Sequence, residues 1–361
     1  MSHPSSLAIK NVHVFTGIDF TPLTTVFIDG ENIATERLGA PEMDGNGGFL
    51  IPGLIDAHLH MRSSDGLDQL AKVGVTAAID LGCWPTSLVQ ALKEYSTKPG
   101  VTQLQSAGLV ATAPNSLHEK MFPDMPKSAI LSSPSQAERF VTERLAEGAD
   151  YIKIIADIPG PDQETINALV KSARVHGKLS IIHATKSKVF DMAVKAGPDV
   201  ITHVPLDAAL SESAIEQLLE KKIVCIPTLT MARALTSIRK TPGMSYENCQ
   251  ESVTRLVAAG VSVLAGTDAN DHSPAGVAFG KSLHDELANF VVAGMSPLAA
   301  LRSATVESAA YFGFDSGIIE PGRPANLVLL GKNPLEDIKA TRDIRAVWCQ
   351  GTQVAVQDLA V

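Results

Sequence analysis

Cysteine is scarce in this 361-residue chain and never clustered. Cys83, Cys225, Cys249 and Cys349 stand far apart, with no CxxC pair. That spacing argues against a thiolate metal site or a disulfide frame and suits buried thiols in a reducing, cytoplasmic setting. Runs of Lys and Arg are also missing. The net charge is 30 − 39 = −9, so neither nucleic acid nor an anionic membrane is an expected partner. No apolar stretch reaches the length that spans a bilayer. The opening MSHPSSLAIKNVHVF lacks the basic-then-apolar layout of a secretion signal. Internal repeats and low-complexity tracts are absent. What is present is a composition 45% apolar and 19% charged. It belongs to a globular chain long enough for one large unit with an appendage.

Short β-rich segments flank the sequence: 7–16 and 23–29 near one end, 325–330 and 344–356 near the other. Between them, apolar strands alternate with helical patterns, the signature of βα units around a parallel sheet. Eight strands are predicted, at 54–60, 76–82, 102–109, 151–157, 179–184, 200–205, 224–229 and 262–269. Capping boxes at Ser135-x-x-Glu138 and Ser213-x-x-Glu216 open two of the intervening helices, and Ser296-Pro297 opens a third. This pattern predicts an α/β fold, a (β/α)8 TIM barrel over residues 51–319. Residues 1–50 and 320–361 then pair as a small β-sandwich.

The polar residues fall at informative places. His58 and His60 end the apolar stretch FLIPGLIDAHLHMR. Two apart on a strand, they point to one face. His183 ends the fifth strand in SIIHA, His203 the sixth in VITHV, and Asp268 the eighth in LAGTDA. A lone histidine of this kind is more often a hydrogen-bonded core residue. Four imidazoles and a carboxylate at one level of a barrel are hard to bury without a shared cation. His3, His13 and His176 lack this placement. Lys153 stands among isoleucines in YIKIIAD, where a charged amine is costly unless it is paired or loses its proton. Three readings are open for it: an ion pair with Asp157 or Asp80, a Schiff-base nucleophile, or a carbamate formed with CO2 that bridges two metals.

Taken together, PGLIDAHLH, GADYIKIIAD, HVPLD, LAGTDA and the tail from SLHDELANFVVAGM to GRPANLVLLGKNPLEDI resemble the amidohydrolase superfamily. The nearest branch is the imidazolonepropionase-like and Xaa-Pro dipeptidase-like one with a carboxylated lysine. The resemblance implies a binuclear centre, with zinc the expected metal. His58, His60 and Asp268 would bind one ion and His183 and His203 the other, with carboxylated Lys153 and a hydroxide between them. Asp268 would shuttle the proton. Two stretches depart from the branch: HATK, which puts Thr185 and Lys186 where a second His and a Gly are usual, and ADIPGP after the fourth strand. Both touch the rim and weaken any transfer of substrate identity.

Candidate substrate contacts are Arg62 after the HxH pair, Lys186 and Lys188 after the fifth strand, and Arg233 after the seventh. His118 in the loop 106–126 and His272, four residues past Asp268, complete the set. Three function classes compete. The first is a metal-dependent hydrolase of an amide of the N-acyl amino acid, dipeptide, lactam or cyclic imide class. The second is a Schiff-base lyase using Lys153, which leaves the histidines unexplained. The third is a catalytically silent binding module, in which lost metal ligands would be expected. A small molecule is the expected partner, and a homo-oligomer is left open.

Overall fold

Why both flanks of the chain end up in one sheet follows from a single long strand. The computed structural model describes residues 6–36, 38–238, 241–271 and 276–359. Within it, strand Glu42–Pro52 is eleven residues long. It pairs in parallel with Leu7–Val14 and antiparallel with Leu327–Leu330. The full order is Thr352–Val354, Ile344–Cys349, Leu327–Leu330, Glu42–Pro52, Leu7–Val14, Thr24–Asp29, Asn32–Ala34. The sequence predicts a small β-sandwich here; the pairing gives one seven-stranded sheet in which Glu42–Pro52 accepts a partner on each edge. Alternate side chains serve different cores, as the two-residue period requires. Ile9, Ile28, Leu50, Leu327, Leu329 and Trp348 share one apolar cluster. Ile51, Val328, Leu330 and Val347 join the main core of the molecule.

Gly53 links this sheet to the first strand of the α/β body. A Cβ at that position would lie 2.0 Å from the Thr76 hydroxyl oxygen, so only glycine allows so close a crossing. Leu54–Leu59, Val75–Asp80 and Gln103–Ser106 form a parallel three-stranded sheet. Ile152–Ile155, Ser180–His183, Val200–Thr202 and Val224–Ile226 form a parallel four-stranded one. Helices lie between and after these strands, so the body is a mixed α/β fold of the TIM-barrel type. Among the described residues no continuous ladder closes it. Isolated parallel bridges span the gaps, at Ala111 with Ile154, Cys225 with Val263 and Leu59 with Ala269. The predicted eighth strand is therefore not a strand. Residues 263–269 hang on single backbone bonds, among them Leu264 to Cys225 and Asp268 to His58.

Two of the three helix starts differ from expectation. Ser296 does cap Pro297–Ser303, accepting from the Ala299 amide. Helix Glu212–Lys221 is capped by Ser211, not Ser213. Pro134 opens a 3₁₀ turn that absorbs Ser135, and the helix proper is Ala137–Ala146. Glu138 instead turns sideways to accept from Ser172 and His176 on the next helix. Among the described residues, no helix is long and apolar enough to cross a membrane.

Candidate metal centre

The inner face of the body is set by alternation. Residues two apart share a face, so His58, His60 and Arg62, then Lys153, Ile155 and Asp157, then His183 and Thr185, run as three inward rows. All of these except His58 line one cavity of about 480 Å³, together with Asp268 and Asn270. His58 lies beneath it, fully buried.

Asp268 Oδ1 sits 3.0 Å from His60 Nε2 and 3.4 Å from His58 Nε2. The three residues offer ligand atoms that all lie within 4.8 Å of one another. The His58 and His203 rings are 4.9 Å apart, and those of His203 and His183 4.5 Å. Lys153 Nζ donates to Thr202 Oγ1 at 2.8 Å. It makes no ion pair with Asp157, whose carboxylate meets His118 Nδ1 at 3.0 Å. Nor does it take Asp80, which accepts from Ser106 and from the Met61 amide.

Electrostatics disfavours the charged forms of His58, His183 and His203 and favours that of Asp268. Burial, with Lys153 and the neighbouring imidazoles, holds His58 well below its ordinary value. Burial does the same to His183, with His203 and His118 adding to it. Burial takes His203 down to about 3 and Lys153 down to about 7. Asp268 is pulled up by burial, but the His60 hydrogen bond and the electrostatic pull of its neighbours outweigh that and leave it below the usual carboxylate range. Neutral imidazoles and an ionised carboxylate are what a divalent cation takes.

Buried carboxylates outside the cavity fix the site's frame. Asp56 accepts from the His58 amide and from both the amide and hydroxyl of Thr267. Glu286 accepts from the Leu229 and Thr230 amides at 2.7 Å each and from the Thr230 hydroxyl at 2.6 Å. That anchors the turn whose Thr228 hydroxyl sits 2.7 Å from His203 Nδ1. His203, Thr228 and Asp268 all have left-handed backbones, with φ of 71°, 53° and 61°. Each such residue costs roughly 1–3 kcal/mol and persists only where its surroundings enforce it. Gly266 lets the segment approach, since a Cβ there would meet the His58 backbone nitrogen at 2.9 Å.

The other candidates divide. Arg62 reaches the cavity, its guanidinium 4.1 Å above the Trp84 ring and donating to the Trp84 carbonyl. His118 is brought against His183, ring centroids 4.9 Å apart. His118, Asp157 and His183 form a second group able to hold a cation. Arg233 does not reach the cavity. Its guanidinium bonds Tyr246 and Asn289 and stacks on the Tyr246 ring, because helix Leu229–Ile238 turns that side chain toward Tyr246–Ala259. Lys186 precedes helix Ser187–Ala196 and Lys188 is exposed on it. Neither lines the cavity. His272 lies outside the described residues. Sequence reasoning assigned Asp157 only as a partner for Lys153, although its parity with Lys153 and Ile155 marked its face. It did not single out Trp84, Thr202, Thr228 or Glu286, which carry no local signal.

With the geometry in hand, the comparisons with known proteins are informative. A family model described as the amidohydrolase family matches residues 49–354. A crystal structure of a Xaa-Pro dipeptidase with bound methionine superposes with a TM-score of 0.84 at 21% identity, covering 97% of this chain and 99% of that one. Molinate hydrolase gives 0.80 at 20%, covering 98% and 95%. The adenine deaminase of Gluconobacter oxydans is 27% identical over 91% of this chain, which spans 55% of that protein's length.

Proposed function

This chain belongs to the amidohydrolase family, and from that premise we propose that it hydrolyses an amide C–N bond of a small molecule with the aid of two divalent metal ions, zinc the expected pair. One observation carries the metal reading. His58 is fully buried, and neither of its ring nitrogens makes a hydrogen bond. Its 3.4 Å approach to Asp268 lacks hydrogen-bond geometry. An orphaned buried imidazole costs about 1–3 kcal/mol, a cost removed when a cation takes the nitrogen. The donor set fits zinc chemistry, with imidazoles from His58, His60, His183 and His203 and the carboxylate of Asp268.

When bound, such ions would lower the pKa of water and polarise the scissile carbonyl. The chain's own residues supply the rest. Asp268 accepts a proton from the attacking water and returns it to the leaving nitrogen. Lys153, buried and held by Thr202, attacks CO2 as the neutral amine. It would give up one proton and become a carbamate, adding an anionic oxygen donor to the imidazole and carboxylate set. Thr228 orients the His203 ring through Nδ1, leaving Nε2 for a ligand. His118 and Asp157 form a pair at the cavity wall able to hold a proton near the substrate. The same reading assigns residues 51–319 to the metal-holding unit and residues 1–50 with 320–361 to the appended one.

The test is elemental analysis of the purified protein joined to a metal-replete screen of N-acyl amino acids, dipeptides, lactams and cyclic imides. Close to two divalent ions per chain and chelator-sensitive hydrolysis are expected. Full activity in a strong chelator would overturn the reading and favour Schiff-base chemistry at Lys153.

A further inference from the structure

The cavity before the histidines is polar at one end and apolar over much of the rest. Trp84, Val110, Met125 and Ile155 line it and belong to an apolar cluster separate from the main core, with Phe122 packed against it. Trp84 and Phe122 meet edge to face, centroids 5.4 Å apart. Met231, Leu235 and Ile238 add a second apolar wall from helix Leu229–Ile238.

The exposure pattern gives this cluster a role. Leu117, Met121 and Ile238 are 47%, 46% and 56% exposed, and all three line this cavity. Large apolar side chains left in water side by side mark a surface that something apolar covers. Among the described residues that line the cavity, Arg62 is the one Lys or Arg besides Lys153, and it is engaged with the Trp84 ring and carbonyl. A guanidinium so used steadies the aromatic wall.

Building on the proposed hydrolase reading, we infer that the substrate amide carries one large, uncharged, apolar arm, an aromatic ring or a branched alkyl group of that size, seated against the Trp84–Phe122–Met125 wall and the Met231–Leu235 face. The volume of about 480 Å³ accommodates such an arm beside the scissile group.

Two amide series test this on the metal-loaded enzyme. One varies the acyl arm: acetamide, phenylacetamide, 1-naphthylacetamide and the charged succinamate. The other varies the nitrogen arm: acetamide against acetanilide. The expected result is a rise in kcat/KM on the order of 100-fold from methyl to ring in at least one series, with succinamate no better than acetamide. A flat order in both series, or a preference for succinamate, overturns the inference. A binding measurement separates it from the hydrolase reading. Calorimetric titration of metal-free protein with 1-naphthylacetamide should give saturable binding, weakened at least about 10-fold in Trp84→Ala or in Phe122→Ala. Such binding without hydrolysis of any amide upholds the pocket and sinks the hydrolase reading. Acetamide hydrolysis with no naphthylacetamide binding does the reverse.

Discussion

Two buried histidines, in two regions of the molecule, show what separates a core imidazole from a proposed ligand. His284, on helix Lys281–Val292, has both ring nitrogens occupied, Nδ1 by the Thr341 hydroxyl and Nε2 by the Val73 carbonyl, each at 3.0 Å. Burial takes it down to about 4. His58 is as deeply buried but has neither nitrogen hydrogen-bonded. Both are neutral. Only one is satisfied by the protein itself. Around His284 the chain closes its own hydrogen bonds, and around His58 it adopts left-handed backbone at His203 and Asp268 and leaves a donor set open. At this site strain and unmet polarity coincide around one residue, whereas the His284 ring has both its nitrogens satisfied.

The largest expected effect breaks this comparison if it fails. His58→Ala should lower hydrolytic activity more than about 100-fold and reduce bound metal, with a modest loss of stability. His284→Ala should do the opposite. It should cost about 2–4 kcal/mol in urea unfolding and leave metal content and kcat near wild type. Metal loss in His284→Ala would erase the distinction.

Chelation sharpens it next. Adding metal to apo-protein should raise the melting temperature of wild type and leave that of His58→Ala much less changed, since a ligand stabilises only the state that binds it.

A pH experiment follows. Burial raises the Glu286 carboxyl from 4.5 to about 7. The folded state then keeps a proton that the unfolded state releases between those values. Its contribution is greatest at low pH, falls as pH rises through 7, and is level above. That fall is on the order of 3 kcal/mol at most. Metal-free Glu286→Gln should therefore show a flatter decline in stability between pH 5 and 8 than wild type.

The smallest effects concern charges that do not reach the cavity. Arg233→Ala should cost about 1 kcal/mol in stability through the lost Tyr246 stack and leave kcat unchanged. Lys188→Ala should stay within about 0.5 kcal/mol of wild type. A clear rise in KM for either would place a substrate carboxylate nearby.

The proposed ligands were legible because strands write their geometry into the sequence at a period of two. His58 with His60, and Lys153 amid isoleucines, announce a face and a depth. His183, His203 and Asp268 each interrupt an apolar run at its end. The architecture was legible to the same extent. The alternation of strands and helices gave away the α/β body, but not that residues 263–269 hang by single bridges, since an apolar run looks alike in ladder and coil. Nor did the β-rich flanks reveal that both edges of Glu42–Pro52 would be taken. Loop contributions were weaker still. His118 was one side chain in a long loop, and its pairing with Asp157 depends on where a short helix, Leu117–Met121, comes to rest. Glu286 sits on a helix with no local mark of its reach to Thr230.

The pairing of Leu327 with Pro52 bears on how this molecule is made. Pro52 ends the long strand of the terminal sheet and leads through Gly53 directly into Leu54–Leu59, which carries His58 and is followed at once by His60. On a growing chain, the Leu327–Leu330 neighbour of Glu42–Pro52 is not synthesised until most of the polypeptide has emerged. Contacts so distant in sequence slow folding, and an N-terminal sheet edge left open meanwhile invites pairing with another chain. The first residues of the proposed metal centre thus wait on nearly the last, and cell-free synthesis should yield hydrolytic activity only after translation has passed Leu330.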